Sequence, residues 1–135
     1  MVGRDIMKSE KPIVYTCFCT DNIHEGHINI LKEAAKLGDV VVGVLCDREM
    51  IRYNRFPLKT TAERVDMVKS LPGIKGVLVQ NTIMYDEVVE KLKPDYIIHG
   101  DNWTSGPMSI IRENVLQLLS AYGGQLIEVP YTVNA

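Results

Sequence analysis

Three observations predict that this chain forms an α/β domain on an open, parallel, five-stranded sheet. Short apolar runs alternate with helical segments along nearly the whole sequence, with no linker, repeat or low-complexity stretch between them. The second run, residues 40–46, is apolar throughout, as a strand buried on both faces by helices must be. The length of 135 residues, 46% of them hydrophobic and 24% charged, suits a single globular domain. That composition excludes disorder, collagen and coiled coil.

Each element has its own signal. Residues 13–19 are rich in β-branched and aromatic side chains and predict the first strand. Ile28, Ile30, Leu31, Ala34, Ala35 and Leu37 then recur at helical spacing, predicting a helix over about 26–37 that Gly38 stops. Residues 40–46 are the second strand. Thr60 or Thr61 can cap a helix running to about Ser70, with Glu63 favouring its first turn. Residues 77–80 predict a short third strand, and 84–92 a helix closed by Lys93 and Pro94. Residues 96–99 read as the fourth strand. An amphipathic helix over 108–122 ends at Gly123 and Gly124, and 126–129 make the fifth strand. Parallel strands need crossovers, so this order gives a doubly wound, Rossmann-like sheet with helices on both faces. Residues 1–11 are read as an N-terminal extension of one domain spanning 1–135.

Charge and cysteine content narrow the function. Fifteen basic against seventeen acidic residues, a net charge of −2, argue against a broad nucleic-acid-binding face. No apolar run is long enough to span a bilayer, and the N-terminus lacks the apolar core of a secretory signal. The three cysteines, Cys17, Cys19 and Cys46, are odd in number and lie in strand-like runs. Buried structural thiols in a reducing cytoplasm are therefore expected, with Cys17 and Cys19 on one face of their strand.

Ligands of such sheets bind beyond the carboxyl ends of the strands, at the switch point. Three strand ends carry suspicious residues. After the first, Thr20 to His27 runs straight into a helix, with His24 and His27 flanking Gly26. A helix N-terminus attracts an anion through its N–H groups and dipole, and imidazoles can donate to phosphate oxygens. Local capping is the competing role for these histidines; a zinc site would need further ligands nearby. After the second strand, Asp47 and Arg48 lead into a basic stretch holding Arg52, Arg55 and Lys59, with little helical or strand periodicity. It reads either as a mobile loop that closes on a polyphosphate or as an ordinary solvated loop. After the fourth strand, Gly100, Asp101 and the only tryptophan, Trp103, suit a ligand pocket. There Asp101 could cap the following turn and Trp103 could simply pack on the core.

The stretch Asp21-Asn-Ile-His24-Glu-Gly26-His27-Ile-Asn-Ile-Leu-Lys-Glu-Ala resembles the signature of the cytidylyltransferase family within the HxGH nucleotidyltransferases. His99-Gly-Asp-Asn-Trp103 resembles its second motif, usually Gly-Asp-Asp-Trp, and Thr61-Ala-Glu-Arg64 the segment after its basic loop. The similarity runs from about residue 12 to 132. It is strongest to cytidylyltransferase domains associated with phosphoenolpyruvate mutase in phosphonate biosynthesis, through residues 27–38, 92–96 and 122–131. Glycerol-3-phosphate cytidylyltransferase is more distantly similar.

The resemblance implies direct transfer of CMP from CTP to a small phosphonate or polyol phosphate, with release of pyrophosphate and no covalent intermediate. His24, His27 and Arg55 would then be catalytic, the histidines contacting the phosphates and Arg55, with Arg52 or Lys59, neutralising them. Thr20, Asp21, Gly26, Arg64, Gly100, Asp101 and Trp103 complete the implied nucleotide- and phosphate-binding set, Arg64 by supporting the basic loop. Magnesium would bridge phosphate oxygens with few protein ligands. The implied partners are small molecules, and a homodimer is expected. Two departures stand out. Asn54 occupies a position where a lysine is expected. The family's Gly-Ile-Ser-Ser/Thr-Thr motif, which opens a phosphate-holding helix, is expected to be absent, since Pro130-Tyr-Thr132 is followed only by Val133, Asn134 and Ala135. A non-catalytic nucleotide-binding module and an adenylyltransferase of the same fold are the alternatives.

Overall fold

The computed structural model describes residues 11–53, 55–103 and 108–130. Its strands are β1 (Ile13–Phe18), β2 (Asp39–Leu45), β3 (Ile74–Gln80), β4 (Tyr96–Gly100) and β5 (Gln125–Val129). The helices are α1 (Glu25–Leu37), α2 (Asp47–Arg52), α3 (Thr61–Lys69), α4 (Asp86–Leu92) and α5 (Ser109–Ser120), with one turn of 3-10 helix at Asp101–Trp103. All five strands are parallel, in the order β3-β2-β1-β4-β5. Successive strands step outward from β1 to β3, then return to the other side at β4. The winding therefore reverses between β1 and β4, where a crevice opens beyond the strand ends.

The two faces of the sheet carry separate apolar cores. Strand residues alternate in direction, so Tyr15, Cys17 and Cys19 join Val88, Val89 and Leu92 of α4 and Ile111, Val115 and Leu119 of α5. Val14 and Phe18 point the other way, onto Ile30 and Ala34 of α1 and Val68 of α3. Every residue of β2 after Asp39 is buried. Burying one such valine or leucine side chain contributes roughly 1.5–3 kcal/mol, which is why the doubly covered strands anchor the fold. Gly38 ends α1 where a Cβ would lie 2.2 Å from the Pro12 carbonyl oxygen, so a close approach of backbones demands glycine there. Gly123, at φ 87°, supplies the left-handed residue that ends the turn after α5.

Two elements differ from the sequence reading. Strand β3 begins at Ile74 rather than 77, because Lys75 and Gly76 interrupt the apolar run; the pairing to β2 shifts register there, from Val40 opposite Ile74 to Val41 opposite Gly76, and then continues to Gln80. Residues 47–52, read as leading into an irregular loop, form α2. This helix is too short to show periodicity. Its buried Glu49 accepts a hydrogen bond from Ile83 N–H at 2.9 Å and its Met50 enters the core, so tertiary bonds hold it. Most of the N-terminal extension, Asn54, residues 104–107 and the 131–135 end fall outside the described residues. No helix among the described residues is long and apolar enough to cross a membrane.

Candidate active site

A cleft of about 420 Å³ opens at the switch point between β1 and β4. Its walls are Thr16, Cys17, Phe18, Cys19 and Thr20 from the end of β1, His24, His27 and Ile30 from α1, Arg55, and His99, Gly100, Trp103 and Met108 beyond β4. A smaller apolar lobe adjoins it through Cys17, Cys19, Arg55, His99, Trp103 and Met108, and reaches Leu45, Gln80 and Tyr85. Among the described residues, none that walls the main cleft carries a carboxylate.

The histidine turn is built by capping. His24 is the N-cap of α1 and its Nδ1 accepts the Gly26 N–H at 2.9 Å. His27, three residues on, returns the bond: its Nδ1 accepts the His24 N–H at 3.2 Å. This reciprocal box satisfies N–H groups that a helix N-terminus otherwise leaves without partners. Local capping and ligand binding, the two roles open in the sequence, are thus compatible. Because both Nδ1 atoms accept, each neutral ring carries its proton on Nε2 and offers a donor. The rings lie 4.1 Å apart, and Phe18 meets His27 edge-on at 4.7 Å. His27 is only 7% exposed. Burial, with a smaller contribution from His24, lowers its pKa to about 4. At neutral pH His27 is therefore an uncharged donor.

The basic loop is anchored at its foot. Asp21 accepts Leu58 N–H at 2.7 Å and Lys59 N–H at 3.0 Å, and these two bonds hold its carboxyl below the usual range. Arg64, from α3, is fully buried. It donates to the Leu45 carbonyl at 2.6 Å, to Asp47 Oδ1 at 2.6 Å and to the Lys59 carbonyl at 3.3 Å. Desolvation pushes the Asp47 carboxyl up, but the bonds from Arg64 and Thr61 outweigh it and leave it lowered. Arg55 projects from this anchored loop and lines both lobes of the cleft.

Beyond β4, the Trp103 ring is 1% exposed and stacks on His99 with centroids 3.6 Å apart and planes 2° from parallel. Its indole N–H donates to Glu128 Oε2 at 2.7 Å. Arg112 grips the same carboxylate at 2.8 and 2.9 Å. That grip, with Trp103 after it, holds Glu128 below the usual carboxylate range. Trp103 is accordingly both a core residue and a cleft wall.

The cleft brings together Thr20, His24, His27, Arg55, Gly100 and Trp103 of the expected site residues. Gly26 is buried in the first turn of α1, where its N–H serves His24. Asp21, Arg52, Lys59, Arg64 and Asp101 do not line the cleft. Asp21 and Arg64 spend their polar atoms on holding the loop, Arg64 in the supporting part expected of it. Arg52 is exposed and pairs with Glu49 at 3.3 Å. Lys59 is half-buried, and Asp101 is exposed in the 3-10 turn. Sequence reasoning met His99 only as the first residue of the second motif, and gave no site role to it or to Cys17, Cys19, Met108 and Glu128. His99 and Glu128 had a visible signal, since each is the polar residue in an otherwise apolar strand end. Cys17 and Cys19 share one face as expected, yet they are half-buried and line the cleft. Cys17, Cys19 and Cys46 are free thiols. Among the described residues, no three His, Cys, Asp or Glu side chains are grouped so as to hold a metal.

Comparison with known proteins adds to this geometry. A family model described as cytidylyltransferase-like matches residues 14–121. The bifunctional protein HldE of Desulfatibacillum aliphaticivorans is 32% identical over 93% of this chain and 25% of its own length. Ethanolamine-phosphate cytidylyltransferase of Arabidopsis thaliana is 36% identical over 72% of this chain and 25% of its own. The chain thus spans about a quarter of the length of these relatives. It spans 84% of the FAD synthase of Thermococcus sibiricus, at 30% identity over 92% of this chain. Among solved structures, a lipopolysaccharide core biosynthesis protein from Thermoplasma volcanium superposes with a TM-score of 0.74 at 22% identity. That superposition covers 92% of this chain and 98% of the other, and bears on the fold alone.

Proposed function

The chain belongs to the cytidylyltransferase-like family, and from that premise we propose that it transfers CMP from CTP to a small phosphonate or phosphate acceptor, with release of pyrophosphate. One observation carries the reading: two Nε2–H donors, fixed by a capping box at the N-terminus of α1, share a cleft with Arg55 at the switch point of the sheet. An acceptor oxygen attacks the α-phosphorus, the bond to the bridging oxygen breaks, and pyrophosphate departs with the electron pair. Charge builds on the phosphoryl oxygens during this step, so donors already in place stabilise the transition state without reorganising. His24 and His27 fill that role as neutral donors. Arg55 supplies the positive charge that the histidines lack.

Magnesium would enter as part of the nucleotide substrate and would help to neutralise its phosphates. The acceptor's chemistry is suggested by the likeness to phosphonate-associated domains and by the relative named for ethanolamine phosphate. A second reading, transfer of an adenylyl group from ATP, is favoured by the FAD synthase relative, which this chain nearly spans.

The test is pyrophosphate release from CTP and magnesium with 2-aminoethylphosphonate, 2-hydroxyethylphosphonate, ethanolamine phosphate or glycerol 3-phosphate. Release above the acceptor-free rate with at least one is expected. No release with any of the four sinks the cytidylyl reading, and release with ATP in place of CTP would establish the second.

A further inference from the structure

The three histidines of the chain line one cleft, but the ring proton does not sit on the same nitrogen in all of them. In His24 and His27 Nδ1 accepts a backbone N–H, which places the ring proton on Nε2. In His99 Nδ1 lies 2.8 Å from the Gly100 carbonyl oxygen. A carbonyl can only accept, so Nδ1 of His99 carries the proton and Nε2 keeps its lone pair. Burial disfavours a second proton on the ring, against smaller opposing contributions from Gly100 and Glu128.

The orientation is braced. Trp103 lies flat on the ring, Glu128 holds Trp103, and Arg112 holds Glu128 through two bonds. Turning the ring over would forfeit its bond to Gly100. His24, His27 and Arg55 give the cleft groups that suit phosphate oxygens. A lone pair at the same cleft does the opposite, because it repels a phosphate oxygen and accepts from a hydroxyl or an amine.

We infer that His99 reads a hydroxyl or amino group of the bound substrate through Nε2, with Trp103, Glu128 and Arg112 as positioning residues. The inference rests on the nucleotidyl-transfer reading. The shared chemistry is an O–H or N–H donor, contributed either by the ribose or by the alkyl chain of the acceptor.

Two variants and one spectrum test it. His99→Asn keeps a donor for Gly100 and removes the distal acceptor, whereas His99→Gln returns an amide oxygen near the position of Nε2. If the ribose is read, His99→Asn weakens CTP binding in calorimetry about tenfold while 2′-deoxy-CTP, or its 3′ counterpart, binds both proteins alike. If the acceptor is read, CTP affinity holds and KM for 2-aminoethylphosphonate or 2-hydroxyethylphosphonate rises about tenfold. In either case His99→Gln recovers to within about threefold of wild type. Nitrogen-15 spectra of wild type should show His99 protonated on Nδ1. An Nε2–H tautomer, or a His99→Asn protein matching wild type in both measurements, overturns the assignment while the functional reading stands. A wild-type protein that binds neither CTP nor ATP and releases no pyrophosphate fails at the functional reading and takes this inference with it.

Discussion

The histidine turn and the basic loop share one rim of the sheet and are built in opposite ways. The turn is held by bonds within four residues, each histidine capping the backbone beside the other. The loop is held from a distance. Asp21 grips Leu58 and Lys59 from 37 and 38 residues away, and Arg64 ties the same segment to the end of β2. Its crest is open, with Phe56 68% exposed. A locally built turn sets geometry to fractions of an ångström. A loop anchored only at its foot delivers charge and can move its crest. Positioning at the α-phosphorus therefore belongs to the turn, and neutralisation of the departing charge to the loop.

The largest effect should come from removing the loop's anchor. Arg64→Met leaves the Asp47 carboxylate and the Leu45 carbonyl without their guanidinium. Breaking a buried pair from one side costs about 3–5 kcal/mol, and the partial exposure of Asp47 reduces this to about 2–4 kcal/mol. Urea unfolding monitored by circular dichroism should show a lower midpoint with an unchanged slope. A midpoint equal to wild type would mean that Arg64 does not carry the anchor.

Next comes the turn. His27→Ala removes a placed donor and should lower kcat by about 10²-fold or more. Binding of CTP should change far less, because Arg55 and the helix N-terminus remain. Equal losses in kcat and affinity would instead make His27 a general phosphate ligand and erase the distinction between the two regions.

This contrast also explains what the sequence made legible. A capping box is written in consecutive residues, so His24, Gly26 and His27 announced a helix start and a phosphate-facing turn together. Apolar runs located all five strands and helical periodicity four of the helices, because strands covered on both faces must be apolar and each helix buries one face. The six residues of α2 escaped because Glu49 and Ile83, 34 positions apart, stabilise them. The division of labour in the loop was equally hidden. Arg52, Arg55, Lys59 and Arg64 are alike in a sequence, and only the fold shows that Arg55 alone among them reaches the cleft. His99 was given no role because the carboxylate that fixes its stacking partner Trp103, Glu128, arrives from β5, 25 positions further on.

The third prediction sharpens the role given to the loop. Arg55→Ala should lower kcat/KM by about 10–30-fold, roughly one charge-assisted hydrogen bond to the phosphates. Arg55→Lys should recover part of that loss but not all, because an ammonium is a point charge without the planar fork. Full recovery would show that the loop supplies charge alone, and no recovery that it supplies geometry, the property otherwise assigned to the turn.

The mildest perturbation is a change of pH, and it separates the two regions without any substrate. In the fold His27 titrates near 4 rather than its ordinary 6.5. Between those values the unfolded chain binds a proton that the folded chain refuses. The contribution is fully present above about pH 6.5 and is lost as pH falls toward 4, amounting to about 1–3 kcal/mol. His27→Gln cannot titrate, so its urea midpoint should fall less than that of wild type between pH 7 and 5. The loop answers in another window. The Asp21 carboxyl sits below its ordinary 3.8 because it accepts the Leu58 and Lys59 N–H groups, so its contribution is present above 3.8 and fades only at more acid pH. Hydrogen exchange at Leu58 and Lys59 should therefore stay slow at pH 5, where the histidine turn has already begun to weaken. Simultaneous loss of protection in both regions would show that they open as one unit, and the independence argued for them would fail.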